Sequence, residues 1–248
     1  MLTESAVKFP GTSWPWLLTE DKEAVDPFDY SVWTGKLGEE EMTISEDEIE
    51  HENERATLDK LHPRVLAEVV AALPLNKQLV EMSKSVLDSY CKKENPATSN
   101  FGMHATEYVA AKGDKPVAGT YGAGPCLPVL VRASNAKGVV AVGCAHLSEN
   151  DMGSLAAAEK AITRLWAELD KTLGDTDPKT RQTFVVGGTT DDSADVMDSY
   201  ARVVGACQRL QEKLKMQLAG AFVPASGTKG KYVDVYVTRD AVLYAHGK

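Results

Sequence analysis

A glycine-rich stretch that ends in a cysteine is the first feature of the sequence that could do chemistry. It reads GTYGAGPC at residues 119–126, and His146 follows Cys126 by twenty residues. A cysteine nucleophile needs a base within hydrogen-bond reach and N–H donors for the oxyanion. Gly122 and Gly124 allow a sharp turn that a substrate can approach closely. We therefore expect these two glycines to bind substrate or to contribute to the oxyanion hole.

The residues between Cys126 and His146 predict the element that brings the two side chains together. CLPVLVRAS and GVVAVGCAHL are apolar and β-branched runs, and Asn-Ala-Lys-Gly separates them. This pattern predicts an antiparallel hairpin. In such a hairpin the end of the second strand lies beside the start of the first, so His146 lies next to Cys126. Taken alone, the pair is also compatible with a tight turn around a buried cysteine.

Cys144 keeps two further interpretations open. It lies two residues before His146, hence on the same face of the strand, where it could itself be the reactive thiol. Cys126, Cys144 and His146 could also bind zinc, with the distant His104 as a further ligand. A structural zinc site usually has four ligands, and no fourth stands at a usual spacing. We therefore predict a site without metal or other cofactor.

Composition and charge limit the partners. The chain has 248 residues, of which 43% are hydrophobic and 25% charged, as in an ordinary soluble protein. Its net charge is −9 and it has no Lys/Arg cluster, so we expect neither nucleic acid nor membrane as a partner. No signal peptide is apparent, and four widely spaced cysteines indicate free thiols. These features predict a cytoplasmic protein, and we expect it to be a monomer.

The chain is predicted to be an α+β protein with two parts. Residues 1–56 form an aromatic and acidic N-terminal segment, and residues 57–248 form the main domain. Within that domain, 57–99 are predicted to be helical and 100–248 to form the core. We expect mixed, largely antiparallel β-sheets in a β-sandwich-like core flanked by helices.

Helices are predicted from apolar residues at three- and four-residue steps. One such run ends at Pro74. A second helix follows, with an apolar face formed by Leu79, Met82, Val86 and Tyr90. Two longer helices are predicted in the core, over about 154–173 and 193–219.

The order of threonine, glycine-rich turn, cysteine, strand and histidine resembles the superfamily of cysteine glutamine deamidases. That superfamily includes the bacterial chemoreceptor deamidase, the catalytic domain of cytotoxic necrotizing factor and Burkholderia lethal factor 1. Thr120 stands six residues before Cys126, and His146 falls where the family has an Ala-His histidine. VVGG at 185–188 is similar to a Gly-Gly strand that follows the long helix in the chemoreceptor enzyme. The resemblance covers residues 117 to about 190.

This resemblance implies a protein-glutamine deamidase. His146 would deprotonate Cys126 to give a thiolate–imidazolium pair, and the thiolate would attack the carboxamide carbon of a Gln side chain. Thr120 would hydrogen-bond to His146 and fix its tautomer. The target would be a protein that carries an exposed Gln. Since similar toxins act inside a host cell, the chain is expected to be either a bacterial signalling enzyme or an effector secreted into the host cytosol.

Two other classes of function stay open. The same thiol could serve another cysteine hydrolase or a transglutaminase, whose products would differ from a converted Gln. Alternatively, the N-terminal segment engages a partner, and Cys126 is a core residue of a non-enzymatic binding module.

Overall fold

The computed structural model describes residues 73–99, 101–102, 105–188, 194–222 and 232–247, together with five strands before residue 45. The chain divides into two compact units, Met1–Val69 and Val70–Lys248. In the first unit, an antiparallel sheet consists of the strands β1 (Val7–Lys8), β2 (Pro15–Leu18) and β3 (Ala24–Val25). A separate hairpin consists of β4 (Trp33–Leu37) and β5 (Glu40–Ile44). The helix predicted to end at Pro74 lies almost wholly outside the described residues.

The second unit contains the remaining strands and the helices. Its strands are β6 (Leu79–Glu81), β7 (Ala97–Thr98), β8 (Phe101–Gly102), β9 (Ala105–Thr106), β10 (Tyr108–Gly113), β11 (Val117–Ala123), β12 (Leu127–Ser134), β13 (Val140–Leu147), β14 (Gln182–Val186), β15 (Gln217–Phe222), β16 (Tyr232–Thr238) and β17 (Val242–Gly247). Its α-helices are α1 (Lys84–Glu94), α2 (Glu149–Met152), α3 (Leu155–Leu173) and α4 (Ala194–Leu214). No helix in the described part of the chain has the length and apolar character needed to cross a membrane.

Two mixed five-stranded sheets form the core, which confirms the predicted α+β class. The first sheet has the order β10-β13-β12-β14-β15 and the second β6-β17-β16-β11-β7; β8 and β9 form a separate pair. Their facing sides share one apolar cluster, to which the first sheet contributes Leu130 and Val142 and the second Val235 and Val237. Because alternate residues of each strand face this cluster, side chains from both sheets meet in one interior.

The hairpin predicted between Cys126 and His146 is confirmed. β12 and β13 pair antiparallel, with Leu127 opposite Leu147 and Ser134 opposite Val140. The helix predicted over about 154–173 is confirmed as α3, and the Ser154 hydroxyl caps it by accepting the N–H of Ala157 at 3.2 Å.

Two predicted helices are wrong in extent. Leu79 belongs to strand β6, which pairs in parallel with β17, and α1 begins only after Ser83. Val86, predicted to lie on the apolar face, is 54% exposed. At the other end of the chain, α4 stops at Leu214 because Lys215 adopts a left-handed φ of 48° and the chain turns into β15. In both places, pairing with a strand distant in sequence overrides the local helical pattern.

Candidate active site

Thr120 and His146 meet inside the sandwich, although they come from different sheets. Thr120 lies on β11 and His146 on β13, and the Thr120 Oγ1 and His146 Nδ1 atoms are 2.8 Å apart. Both residues are almost wholly buried, with exposed fractions of 1% and 4%. The threonine and histidine predicted to act together are therefore hydrogen-bonded to each other.

The hydrogen bond identifies which ring nitrogen of His146 carries a proton. The Thr120 hydroxyl donates its one hydrogen to the backbone carbonyl of Ser99, at 2.8 Å. It can therefore only accept from His146, so Nδ1–H is the donor. Burial lowers the pKa of His146, which favours the neutral ring. A neutral ring with a hydrogen on Nδ1 has its basic lone pair on Nε2.

Ser99 holds both partners of this bond and was missed by the sequence analysis. Its carbonyl accepts from Thr120, and its hydroxyl oxygen accepts the backbone N–H of His146 at 3.2 Å. The same hydroxyl donates to the carbonyl of Glu107. Ser99 is 1% exposed and lies directly after β7, which pairs in parallel with β11. No local pattern marks this serine, because its partners lie on strands β11 and β13.

Asp151 fixes the backbone that follows His146. Its carboxylate accepts the Ser148 N–H at 3.1 Å and the Ser148 hydroxyl at 2.8 Å, which caps helix α2. The same oxygen bonds the hydroxyl of Thr106, which lies 3.0 Å from the carbonyl of His146. Together these contacts hold His146 through its ring, by Thr120, and through its backbone N–H, by Ser99.

Cys126 lies directly before β12, at the same end of the hairpin as His146. Pro128 is directly opposite His146, and Cys126 lies two residues before Pro128, in the bend that leads into β12. In a regular antiparallel pair, residues at this diagonal offset have Cα atoms about 7–8 Å apart, so Cys126 and His146 belong to the same end of the hairpin. Cys126 is half-buried, whereas the histidine lies inside. A substrate can therefore approach the thiol from the solvent side.

The electrostatics favour a neutral thiol at Cys126 and a neutral imidazole at His146 in the resting state. Burial raises the pKa of the Cys126 thiol, and the negative charges of Asp151 and then Glu149 raise it further. Burial also lowers the pKa of His146. Both shifts oppose the thiolate–imidazolium pair that we expected from the sequence. Proton transfer would accordingly accompany nucleophilic attack instead of preceding it.

Cys144 is poorly placed for either of its alternative roles. It shares a face with His146, as predicted, but it pairs with Leu130, four residues beyond Cys126. At about 3.3 Å per residue, that offset is roughly 13 Å along the strand. Cys144 is fully buried in the apolar cluster, and burial raises its thiol pKa strongly. Across the described residues, which do not include His104, no group of His, Cys, Asp and Glu is arranged to hold a metal ion.

A β-bulge shapes the glycine-rich turn before Cys126. The register of β11 against β16 shifts between Thr120 and Ala123, and Gly122 has a left-handed φ of 68°, which glycine adopts without strain. The Gly122 N–H donates to the Asp234 carboxylate at 2.8 Å.

The bond to Asp234 uses the one N–H of Gly122, which is therefore not available to an oxyanion. Within the described residues, the backbone N–H groups of Gly124 and Cys126 have no hydrogen-bond partner, so they are the available oxyanion donors at this turn.

Gly188 brings the Val-Val-Gly-Gly stretch against the turn. A Cβ atom at Gly188 would lie 1.8 Å from the carbonyl oxygen of Ala123 and 2.8 Å from that of Gly124. Only glycine allows so close an approach of two backbones. Residues 185–188, singled out for their resemblance to a family strand, therefore support the turn that carries Cys126.

Comparison with known proteins adds no assignment. No protein-family model matches the chain, and no curated protein is significantly similar to it in sequence. The interpretation of the site therefore rests on its residues and their geometry.

Proposed function

We propose that the protein is a cysteine-dependent amidohydrolase that converts an exposed Gln side chain of a target protein to Glu. Cys126 is the nucleophile, His146 the general base and acid, and Thr120 the residue that orients His146. The observation that carries the proposal is the 2.8 Å hydrogen bond between Thr120 and His146. It leaves the basic lone pair of His146 on Nε2, and His146 lies at the end of the hairpin where Cys126 stands.

The first half of the reaction forms a thioester. The Cys126 Sγ–H proton passes to His146 Nε2 as sulfur attacks the carboxamide carbon of the Gln side chain. The amide oxygen takes up negative charge, which the N–H groups of Gly124 and Cys126 stabilise; one such donor is worth about 3 kcal/mol. The tetrahedral intermediate then collapses, the carbon–nitrogen bond breaks, and His146 returns the proton so that ammonia leaves.

The second half hydrolyses the thioester. Water gives a proton to His146 Nε2 and attacks the same carbon. The carbon–sulfur bond breaks, the proton returns to Cys126, and the substrate carries a Glu side chain. The neutral resting pair suits this cycle, because each proton moves only when a bond to carbon forms or breaks. The cycle uses no cofactor.

The test is ammonia release from bacterial and eukaryotic lysate proteins incubated with the purified chain. We expect ammonia from the wild type and none from Cys126→Ser or His146→Ala. Cys144→Ser is the matched control, since it removes a thiol from the same hairpin, and it should keep activity within about threefold of wild type if it stays folded. Ammonia release by Cys126→Ser together with an inactive, folded Cys144→Ser would make Cys144 the nucleophile.

Added primary amine separates hydrolysis from transglutamination. A deamidase gives Glu whether or not the amine is present, whereas a transglutaminase joins the amine to the Gln side chain. Peptide cleavage without ammonia would indicate a cysteine protease on the same thiol. No chemical change in any lysate protein would favour the binding-module interpretation.

A further inference from the structure

A buried carboxylate connects the turn before Cys126 to helix α1. Asp234, on β16, is 4% exposed. Its Oδ1 accepts the Gly122 N–H at 2.8 Å, and its Oδ2 lies 2.8 Å from Nζ of Lys84. Asp234 therefore bonds a strand of its own sheet on one side and a helix on the other. It touches none of the groups that the proposed reaction uses.

The bulge that Asp234 stabilises determines the direction of the chain after Thr120. Thr120 pairs with Val235 and Ala123 with Val233, so two residues of β11 stand opposite Asp234 alone. Without the extra residue, side chains three positions apart would point to opposite faces. With it, Thr120 and Ala123 are both buried. The bulge thus sets the path from Thr120 to the turn that carries Cys126.

A bulge leaves a backbone group without a partner in the strand ladder. Gly122 itself is exposed, whereas the Asp234 carboxylate that faces its N–H is buried. The Asp234 carboxylate accepts the Gly122 N–H, and a charged acceptor makes a stronger hydrogen bond than a neutral one.

Lys84 occupies a position that its own helix does not favour. It is the first residue of α1, where the helix dipole repels a positive charge. Hydrogen bonds to Asp234 and Asp88 raise its pKa and keep it charged. Asp234 is the more buried of the two acids, since the side chain of Asp88 is 58% exposed. The placement of Lys84 is explained by the need of a buried carboxylate for a counter-charge.

We propose that Asp234 is a positioning residue for the Cys126–His146 site and that Lys84 holds its carboxylate in place. Asp234 acts through Gly122. Its carboxylate stabilises the bulge, and the bulge positions the Thr120 hydroxyl beside His146 and directs the turn that leads to Cys126. The catalytic part of this inference rests on the proposed function. The structural part, the effect of Asp234 on the His146 tautomer, can be measured without any turnover.

The test compares Asp234→Ala with Asp234→Asn by two measurements. Nitrogen NMR of the imidazole rings reports the His146 tautomer, with His146→Ala used to assign the signal among the five histidines. The second measurement is kcat/KM for Gln conversion. In Asp234→Ala we expect a mixture of tautomers and a loss of about 10- to 100-fold, the range typical of a lost supporting contact. Asp234→Asn keeps an oxygen for Gly122, so the wild-type tautomer and most of the activity should return.

Two further variants separate positioning from stability. The double variant Lys84→Met/Asp234→Leu replaces the ion pair with apolar side chains, a change that often leaves stability unaffected. It removes the acceptor of Gly122, so we expect a folded protein with the same loss as Asp234→Ala. Asp240→Ala, which removes an exposed acidic side chain from the next turn, should match the wild type in both measurements.

A wild-type tautomer and wild-type kcat/KM in the folded double variant or in Asp234→Ala would overturn the proposal. So would an Asp234→Asn variant that folds but is no better than Asp234→Ala. If the wild type converts no Gln at all, the proposed function fails, and the NMR comparison alone then decides whether Asp234 positions His146.

Discussion

The hydroxyl of Thr120 and the Nδ1 atom of His146 lie 2.8 Å apart, and the hydrogen bond between them joins the two sheets of the sandwich. Each residue is nearly inaccessible to solvent, so the bond forms only when the sheets are packed together. The orientation of the histidine is thereby tied to the assembly of the core. Ser99, at the end of the edge strand β7, contacts both residues and closes the arrangement.

Removal of the Thr120 hydroxyl should release the histidine ring. Thr120→Val keeps the volume but cannot accept from Nδ1–H, and we expect kcat/KM for Gln conversion to fall by about 10- to 100-fold. Thr120→Ser keeps the hydroxyl and should remain within about threefold of wild type. Steady-state kinetics on folded variants measure both values, and a fully active Thr120→Val would refute the orienting role.

Removal of the Ser99 hydroxyl should affect stability more than chemistry. Ser99→Ala loses bonds with the His146 N–H and the Glu107 carbonyl, which we expect to cost about 1–2 kcal/mol of unfolding free energy in urea titration. The Ser99 carbonyl that holds Thr120 belongs to the backbone and stays. Ser89→Ala, on the exposed face of α1, should change the free energy of unfolding by less than about 0.5 kcal/mol. Equal stability of the two variants would contradict the role given to Ser99.

The close approach at Gly188 predicts a strong steric effect. Gly188→Ala places a methyl group against the Ala123 carbonyl, and backbone must move to admit it. We expect a loss of about 3 kcal/mol in unfolding free energy. Gly153→Ala is the matched control, because the nearest atom to its new Cβ would be 3.4 Å away, an ordinary contact. Thermal and urea unfolding measure the stability of both variants. If Gly188→Ala is as stable as Gly153→Ala, the turn does not need this support.

Burial of His146 predicts the acid side of the pH profile. The reaction needs the neutral ring, and burial holds the pKa of His146 below its usual 6.5. We therefore expect the acid limb of kcat/KM to be centred below pH 6.5. The unfolded state binds a proton at higher pH than the folded state, so stability should also fall as the pH drops below about 6.5. An acid limb centred above 6.5 would contradict the neutral resting pair.

The local parts of the fold could be predicted from the sequence. The hairpin from 127 to 147 and helix α3 follow from alternation, turn residues and a capping serine, which act over a few positions. Strand β6 could not be predicted in this way. Its partner β17 is more than 160 residues away in the sequence. Pairing with so distant a strand produces no recognisable pattern in the three residues of β6, Leu79–Glu81.

The candidate site was predictable only in part. Cys126 and His146 followed from the hairpin, and Thr120 from a resemblance to a deamidase family, which stays a prediction. Ser99 and Asp234 could not be found, because a common residue type gives no signal when its partners come from other strands. The resting ionisation state of the Cys126 thiol could not be predicted either, because it depends on burial and on the charges of nearby carboxylates.

The most direct test of the account is mass-spectrometric mapping of Gln-to-Glu changes after incubation in isotopically labelled water. The wild type and Cys126→Ser are compared on the same lysate. We predict that the wild type converts a Gln side chain to a Glu that carries one solvent oxygen, and that Cys126→Ser converts none. Conversion by folded Cys126→Ser at the wild-type rate, or no conversion by either protein, would contradict the assignment of Cys126 and His146 as an amide-hydrolysing pair.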